Sequence, residues 1–402
     1  MQVNSNAYPS MITPQPSTPS IIPFVSTLLN EAINAQASDI HLEPYAECLR
    51  IRYRVDGRLY DLPNTTQDLI EPVVSRIKVL AGLNITESRV PQDGRFCWEA
   101  AHERTVDIRV STLPSTFGES LVLRILDKSA SNLKLEALGM PPHVHNRVQH
   151  TVESKQGLFI TTGPTGCGKT TTLYSAVKTI NDPNRKILTV EDPIEYALDG
   201  TLQTSTDEAI GLDFATTLRA FLRQDPDVLL VGEIRDLETA QIALQASLTG
   251  HLVLSSLHTK DAPSAATRLI DLGLEPYLVA AGLQYVLGQR LLRRICLHCK
   301  EYYQPTDLML EVTQIPRSAI SQEGFCRGTK CSMCNFKGYN GRIALFESMP
   351  ITDTLREKIT QGASTLELKA QAQEEGMRTL RNEAINALLK HQTSIEEFIE
   401  HI

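Results

Sequence analysis

The sequence predicts an α/β protein whose main domain holds a parallel sheet covered by helices, preceded by a smaller α+β domain. In the second half of the chain, short and almost continuous apolar runs alternate with helical patterns, as they do in a parallel sheet buried on both faces. In the first third, apolar and charged residues alternate as in half-exposed strands. The length of 402 residues exceeds one ordinary domain and suits two or three.

Composition divides the chain into a tail, a first domain, a linker and a second domain. Their predicted bounds are 1–20, 21–130, 131–142 and 143–402. The tail is rich in Pro, Ser, Asn and Thr and has too little apolar material to pack, so we expect it to be disordered. The second domain includes a cysteine-bearing subdomain over 292–340 and ends in a helical region.

Periodicity places the individual elements of both domains. Helical stripes occupy 23–37 and 69–83, and alternation around the turn at Asp56-Gly57 predicts a hairpin over 49–62. Further strands of the first domain are predicted at 94–100, 104–113 and 118–127. The apolar runs that predict strands of the second domain are 157–163, 186–192, 227–233 and 251–259.

Composition also excludes several classes of protein. With 42% apolar and 21% charged residues, the chain has no apolar run near the ~20 residues needed to span a bilayer. The N-terminus lacks a secretory signal, so we expect a cytoplasmic protein whose eight cysteines are a poor disulfide framework. A net charge of −8 gives no general attraction to nucleic acid. The basic cluster RLLRR (290–294) is expected to be the solvated end of a helix.

The segment GPTGCGKT (163–170) fits the phosphate-binding pattern G-x-x-x-x-G-K-[ST] in full. It follows a predicted strand and opens a helical pattern, which is the context that this motif requires. Its backbone N–H groups and the helix N-terminus would hold nucleotide phosphates. Lys169 would reach the β- and γ-phosphates, and Thr170 would bind Mg²⁺. The residues expected around the phosphates are Gly163, Pro164, Thr165, Gly166, Cys167, Gly168, Lys169, Thr170 and Thr171.

Hydrolysis needs a carboxylate that activates water at the carboxyl edge of the same sheet. Glu233 ends the run DVLLVGE, where a Walker B acid is expected, although Gly232 replaces the usual preceding Asp. The segment EDPIEY adds Glu191, Asp192 and Glu195. We assign catalysis to Glu233 and Glu195, and nucleotide binding to Glu191 and Asp192. For Glu195 an ordinary solvated acid is the alternative.

Two histidines bound the predicted strand HLVLSSLHT. His258, at its end, would lie near the γ-phosphate and sense hydrolysis, whereas His251, at its beginning, is as readily a structural residue.

Cys296, Cys299, Cys331 and Cys334 form two C-x₂-C pairs. Two such pairs can complete a closed tetrahedral Cys₄ zinc site, although the segment between them is longer than in a usual zinc ribbon. Reduced packing thiols are the main alternative, and a redox pair is less attractive because one pair would suffice. The expected role of zinc is to order a loop-rich subdomain.

Together these segments resemble the ATPases of the type II secretion and type IV pilus systems. The resemblance runs from about residue 21 to the C-terminus and rests on GPTGCGKTTTLYS, EDPIEY, LRQDPDVLLVGEIRDLETAQIALQASLTGHLVLSSLHT, QRLLRRICLHCK and CNFKGYNGRIALFE. Upstream, ASDIHLEP, RYRVDGRL, PQDGRF and RVSTLPSTFGESLVLRIL are similar to the family's second N-terminal domain. The segment ETAQIALQASLTGHLVLS resembles the secretion branch of the family more than the pilus-assembly branch.

The resemblance implies a homo-hexameric ring in which a PAS-like and a RecA-like domain close on ATP. It implies that Arg95 and Arg109 of the first domain approach the phosphates and act in catalysis, and that Arg219, Arg223 and Arg235 flank the nucleotide. Arg50, Arg52 and Arg54 are expected to be merely solvated. The implied partners are inner-membrane secretion proteins, which would hold the ATPase at the membrane without insertion.

Full-length members of the secretion branch carry a further N-terminal docking domain. Only about 20 residues precede the similar segment here, which puts partner recruitment by that route in doubt. Three rivals share parts of the pattern: a nucleic-acid translocase, which would favour a basic channel, a pilus-retraction motor, which lacks the cysteine quartet, and a non-hydrolysing scaffold, which would not need Lys169, Thr170 and Glu233.

Overall fold

The computed structural model describes residues 20–63, 65–100, 104–126 and 133–402. The predicted disordered tail lies outside this part except for Ser20, as do residues 131 and 132 of the predicted linker. The chain forms two compact units. Among the described residues, no helix is long and apolar enough to cross a membrane.

The first unit contains the described residues up to Leu126, together with Cys296–Cys299 and Gly328–Gly341. All four clustered cysteines therefore belong to this unit, whereas the sequence grouped them with the second domain. The remaining described residues form the second unit. The domain bounds derived from the sequence stay predictions.

An antiparallel sheet with the strand order β3-β2-β1-β7-β6-β5 is the centre of the first unit. Apolar residues of α1 and α2 are buried with the sheet in one hydrophobic core, and the two helices confirm the predicted stripes. The hairpin β2–β3 is also confirmed, but β1, which the sequence pattern missed, lies between β2 and β7. The elements are α1 (Ile21–Asn34), β1 (Ala37–Pro44), β2 (Cys48–Val55), β3 (Arg58–Asp61), β4 (Thr65–Thr66), α2 (Ile70–Ala81), β5 (Gln92–Ala100), β6 (Arg104–Ser115) and β7 (Gly118–Leu126).

A second sheet, ordered β10-β9-β11-β12-β8-β13-β16, is the centre of the second unit. The strand pairs from β10 to β13 are parallel, as predicted. Two hydrophobic clusters are built from this sheet and its helices. The strands are β8 (Gly157–Thr162), β9 (Ile187–Glu191), β10 (Leu202–Ser205), β11 (Val228–Val231), β12 (Leu252–Leu257), β13 (Leu283–Ile295) and β16 (Tyr339–Pro350), with β14 (Lys300–Tyr303) and β15 (Phe325–Gly328) as a separate pair.

Helices follow most strands of the second unit and continue to its C-terminal end. Polar side chains cap many of them, as Asp213 caps α5 and Asp236 caps α6 by accepting backbone N–H bonds from Thr216 and Thr239. The helices are α3 (Pro142–Glu153), α4 (Lys169–Ile180), α5 (Phe214–Phe221), α6 (Leu237–Leu248), α7 (Pro263–Asp271), α8 (Pro276–Gly282), α9 (Asp307–Thr313), α10 (Asp353–Thr360), α11 (Thr365–Glu374), α12 (Leu380–Leu389) and α13 (Ile395–His401).

The prediction of a helix end for RLLRR was wrong, because 290–294 lie in strand β13. The alternation of a strand separates its arginines. Arg293 is buried in an ion pair with Glu397, at 2.6 Å from Nη2 to Oε1, whereas Arg294 is exposed. Strand β13 lies between β8 and β16, and its register with β8 runs from Leu283 to Gly288, so RLLRR continues a strand whose sheet neighbours are not visible in the local pattern.

Candidate active site

The phosphate loop lies between β8 and α4, as the motif predicts. Three glycines of the loop have positive φ, at +151° for Gly163, +77° for Gly166 and +91° for Gly168, a region that side chains disfavour. At Gly163 a Cβ would also lie 2.5 Å from the carbonyl oxygen of Gln289. Thr170, in the first turn of α4, is exposed and available to a metal ion.

Lys169 is buried at the start of α4 and turns back onto the loop. Its Nζ donates to the carbonyl oxygens of Gly163, at 2.9 Å, and Pro164, at 3.1 Å. Burial lowers the pKa of Lys169. Since its partners are neutral carbonyls, an anionic phosphate would be a stronger acceptor for the same ammonium group.

Glu233 lies just beyond β11, where two other predicted site residues contact its carboxylate and a third, Asp192, lies next to one of them. His258 Nε2 lies 3.0 Å from Glu233 Oε2, and Arg235 forms an ion pair with Glu233 Oε1. Arg235 also lies 3.9 Å from Asp192. Burial raises the pKa of Glu233, but Arg235 and His258 together outweigh burial and hold it below its ordinary value. The structure therefore assembles an ionised carboxylate with its two cationic or polar neighbours at the edge of the sheet.

The segment after β12 is tied to the phosphate loop by contacts that the sequence did not reveal. Thr162, the last residue of β8, lies 2.6 Å from Thr259 between their hydroxyl oxygens. Arg290 of β13 donates to the carbonyl oxygen of Lys260 at 2.6 Å, and Gln289 donates to the hydroxyl of Thr172 at 2.9 Å. Arg290 belonged to the misassigned basic cluster, so a strand assignment for 283–295 was the signal that would have found it.

Glu191 is turned inwards and is held by structural hydrogen bonds. Its carboxylate accepts from Thr189 at 2.6 Å, from Gln203 at 3.2 Å and from the hydroxyl of Tyr174. The backbone N–H of Glu195 in turn donates to the Tyr174 hydroxyl at 3.4 Å. The Glu191 carboxylate is thus engaged by protein donors. In this arrangement Glu191 positions the segment that carries Asp192 and Glu195.

Arg219 and Arg223 are not part of the cluster around Glu233. Arg219 forms an ion pair with Glu238, and Arg223 donates to the carbonyl oxygen of Arg219 at 3.0 Å. Both side chains are exposed, on or directly after α5. His251 also lies apart, with Nδ1 3.0 Å from the carbonyl oxygen of Ala246, in agreement with a structural role.

The four predicted metal ligands come together in the first unit. All four Sγ atoms lie within 4.8 Å of one another, and three of the separations are 3.9 Å (Cys296 to Cys331), 3.8 Å (Cys299 to Cys334) and 3.8 Å (Cys331 to Cys334). A tetrahedron with bonds of about 2.3 Å has edges of about 3.8 Å, so the donor set fits a tetrahedral thiolate site. These separations also exclude disulfides, whose S–S bond is about 2.05 Å.

The backbone around Cys334 favours the thiolate form that a metal needs. Burial raises the pKa of Cys334, but N–H groups of Cys331, at 3.4 Å, and Gly338, at 3.2 Å, donate to its sulfur, and their combined effect lowers it. Gly328 packs so closely that a Cβ there would lie 1.9 Å from the carbonyl oxygen of Gly338.

A family model described as "Type II/IV secretion system protein" matches residues 15–400. The chain belongs to this family. Its members include the type II secretion system protein HxcR of Pseudomonas aeruginosa, which is 45% identical over 379 residues that cover 94% of this chain and 76% of that protein. The type IV pilus assembly ATPase PilB of Myxococcus xanthus is 42% identical, over 94% of this chain and 67% of that protein.

Solved structures agree with the family assignment. The crystal structure of the ADP-bound pilus retraction motor PilT superimposes with a TM-score of 0.61 and 25% identity, over 94% of this chain and 96% of that chain. This chain is therefore a secretion-family ATPase with the mixed α/β fold of P-loop enzymes, and family membership implies that it uses ATP and Mg²⁺.

Within this family member, Arg95 and Arg109 lie in the first unit as directly opposite residues of β5 and β6. Arg109 in turn faces Arg124 of β7, so the three arginines share one sheet face. Arg124 is ion-paired with Asp39 at 3.2 Å, whereas Arg95 is exposed.

The three arginines of β2, which were expected to be solvated, are partly exposed and also form ion pairs. Their partners are carboxylates on neighbouring strands: Arg50 with Asp61 at 2.7 Å, Arg52 with Glu43, and Arg54 with Asp39 at 3.5 Å.

Proposed function

We propose that this family ATPase works as a homo-hexamer that converts ATP hydrolysis into domain motion and powers type II secretion. The observation that carries the proposal is the cluster of Glu233 with His258 and Arg235 at the sheet edge, joined to the phosphate loop through Thr162 and Thr259. The similarity of 45% to a type II secretion system protein supports the choice of process.

In the proposed reaction, Lys169 exchanges the carbonyls of Gly163 and Pro164 for nucleotide phosphate. Glu233 orients and deprotonates the attacking water, and His258 and Arg235 keep its carboxylate ionised and report the loss of the γ-phosphate. Thr170 would hold Mg²⁺, which neutralises phosphate charge. Glu195 and Asp192 complete the acidic edge, and Glu191 positions them.

The central test replaces Glu233 by Gln, which keeps the shape of the side chain and removes the base. We expect kcat for phosphate release to fall by roughly 10²- to 10⁴-fold, while ADP binding and oligomeric state stay as in the wild type. Glu311→Gln, on the exposed face of α9, is the matched control. Unchanged turnover of Glu233→Gln in an oligomeric preparation would remove Glu233 from the reaction.

We further infer that the first unit is the PAS-like domain of the family and that Arg95 and Arg109 contribute charge to the ATP site in the assembled ring. The support is their shared sheet face and the exposure of Arg95. Arg95→Ala is expected to lower kcat without changing thermal stability. Arg89→Ala, which removes an exposed arginine paired with Glu87, is the control. Equal kcat for both variants would contradict the role of Arg95.

Partner proteins of the inner membrane would receive this motion, from an ATPase that stays on the cytoplasmic side. Type IV pilus assembly is the second candidate function, because a pilus assembly ATPase is 42% identical. In the natural host, loss of this gene is expected to abolish release of secreted enzymes and to leave surface pili in place. Loss of pili with normal secretion would select the second function. Complementation with Glu233→Gln should fail in either case.

We also propose that the tetracysteine cluster holds one Zn²⁺ through Cys296, Cys299, Cys331 and Cys334. The support is the set of sulfur separations near 3.8 Å and the thiolate-favouring backbone at Cys334. With four protein ligands the ion would have no open position for substrate, so its role is structural.

A further inference from the structure

A cavity of about 500 Å³ in the second unit lies apart from the phosphate loop. Strands β13 and β16, helix α12 and the segment 137–142 form its walls, and all of its lining residues belong to the second unit. We call it the linker cavity, because 137–142 come from the predicted linker and the start of α3. Its volume is in the range of small-molecule sites, which is about 300 to 1,000 Å³.

Cationic side chains dominate the charge of the linker cavity. Arg294 of β13, Arg342 of β16 and Lys390, which directly follows α12, line it against a single carboxylate, Glu383. Glu383 is itself paired with Arg378, at 3.8 Å. Within the described part of the chain, neither Arg294 nor Lys390 has a carboxylate within ion-pair distance. Two uncompensated cations at the wall of one concavity create a positive potential that favours an anion.

The chemistry of the cationic groups suits a phosphate better than a simple halide. Arg294 and Arg342 lie on neighbouring strands, and a guanidinium offers a planar pair of N–H donors that matches phosphate oxygens. Lys390 adds a point charge from the third wall, and the amides of Asn386 and Gln392 supply neutral hydrogen-bonding groups.

The rest of the cavity wall is apolar. Leu345 and Phe346 are buried residues of β16, and Ala387 is a buried residue of α12. Leu138 and Pro141 close the side formed by the linker. An apolar wall beside a cationic one fits a ligand that carries both a phosphate and an apolar or ring-shaped part.

We propose that the linker cavity binds an organic phosphate, with the phosphate against Arg294 and Lys390 and the apolar part against Leu345 and Ala387. This site is separate from the ATP site and would be occupied together with it. Strand β13 connects the two, because Arg294 lies in the cavity while Gln289 of the same strand bonds Thr172 of α4. A ligand that fixes β13 and the linker would therefore regulate ATP turnover.

Phenyl phosphate is a suitable probe, since it combines a phosphate with a ring. The full-length protein is kept saturated with Mg²⁺ and ADP, so that the phosphate loop is filled, and is titrated with phenyl phosphate by calorimetry. We expect saturable binding at one site per chain. Arg294→Ala should weaken it by about tenfold or more, as the loss of a charge-assisted hydrogen bond predicts. Lys390→Ala should weaken it severalfold.

Two controls separate a specific site from general charge. Lys155→Ala removes an exposed lysine outside the cavity and should leave the affinity unchanged. Arg294→Lys should recover part of it. Phenol, which lacks the phosphate, should bind at least tenfold more weakly than phenyl phosphate. Absent binding, or equal affinity in the wild type, Arg294→Ala and Lys390→Ala, would overturn the proposal.

A vesicle experiment distinguishes a free metabolite from a lipid headgroup as the natural source of the phosphate. The same protein is sedimented with phosphatidylcholine vesicles with and without phosphatidylglycerol. Retention that depends on phosphatidylglycerol and Arg294 and is released by phenyl phosphate indicates a lipid. Binding of phenyl phosphate without such retention indicates a soluble organic phosphate. Glu233→Gln should bind phenyl phosphate normally, so failure here is distinguishable from failure of the proposed hydrolysis.

Discussion

Sequence motifs predicted both the ATP site and the tetracysteine cluster, but the surroundings that hold these two sites in place are different. The phosphate loop and Glu233 follow strands β8 and β11, in which every residue is buried. The cysteine pairs flank Leu297 and Met333, which are 76% and 62% exposed. A nucleotide would thus bind at a sheet edge whose strands are already held in place by the hydrophobic core. A metal ion, in contrast, would itself order the segments that bind it.

Removal of the metal should have the largest of the predicted effects, because the cysteine segments would depend on the metal for their order. In zinc-finger peptides the binding of structural zinc contributes about 10 to 16 kcal/mol to folding. Around 296–299 and 328–341, few buried apolar side chains could stabilise the fold without the metal. We expect stoichiometric loss of zinc from Cys331→Ser or after chelation, with new protease cleavage inside these two segments. Mass spectrometry of the fragments locates the cuts.

The second unit should be untouched by the same treatment. ADP affinity is expected to stay within about twofold, since a twofold change is below 0.5 kcal/mol, and Cys97→Ser, at an exposed cysteine outside the cluster, should keep its zinc. No zinc in freshly purified, reduced protein, or loss of ADP binding as early as loss of zinc, would contradict the comparison.

The close approach of two glycines gives the second test of the cysteine region. A methyl group at Gly328 would lie 1.9 Å from the carbonyl oxygen of Gly338, whose N–H donates to Cys334. Because the obstacle is backbone, Gly328→Ala is expected to cost about 3 kcal/mol, the upper end of the usual range for overpacking. The change should weaken zinc affinity in a competition with a colorimetric chelator.

Gly341→Ala is the control for backbone strain alone, because Gly341 has a φ of +73° and no atom within 4 Å of an added Cβ. Its cost should be about 1 kcal/mol. If both variants lose zinc equally, strain rather than the contact with Gly338 determines the site.

Whether a feature could be predicted from the sequence depends on whether its cause is local or lies far along the chain. The four buried strands and the glycines of the loop were predictable, because apolar runs and positive φ leave a local signal. Strand β13 was not, since RLLRR continues a strand whose sheet neighbours, β8 and β16, lie far along the chain. The contact of Arg290 with Lys260 and the inward turn of Glu191 depend on partners far along the chain. The sulfur cluster was predictable because each pair of ligands is local.

Removal of the Tyr174 hydroxyl tests how much the hydrogen bonds around Glu191 stabilise the edge of the ATP site in the absence of nucleotide. It donates to the buried carboxylate of Glu191, and its removal in Tyr174→Phe leaves Thr189 and Gln203 as donors. We expect a loss of about 2 kcal/mol in the free energy of unfolding, as for other hydrogen bonds to charged groups. Denaturant titration measures it.

Zinc content should be unaffected by Tyr174→Phe, and kcat should fall because Glu191 positions Asp192 and Glu195. Tyr277→Phe, at an exposed tyrosine of α8, is the matched control. A drop in stability of Tyr277→Phe as large as that of Tyr174→Phe would show that the carboxylate bond contributes nothing.

Glu347 gives the smallest predicted effect and the one with a defined pH dependence. It is buried in β16, and its two oxygens accept the N–H groups of Ala262, at 2.7 Å, and Leu380, at 3.0 Å. It thereby holds the segment after His258 against α12. In Glu347→Gln an amide group faces one of these donors, which should cost about 1 to 2 kcal/mol.

Burial raises the pKa of Glu347 above its ordinary value of 4.5, so the native state keeps this proton to higher pH than the unfolded state. Stability from this group is therefore greatest below pH 4.5 and is lost as pH rises through the folded pKa. Gln has no such proton. The advantage of the wild type over Glu347→Gln should shrink as pH rises, which denaturant titrations at several pH values measure. Glu311→Gln, at an exposed position, should show no such trend, and an advantage that grows with pH would mean that the ionised carboxylate is the better-held form.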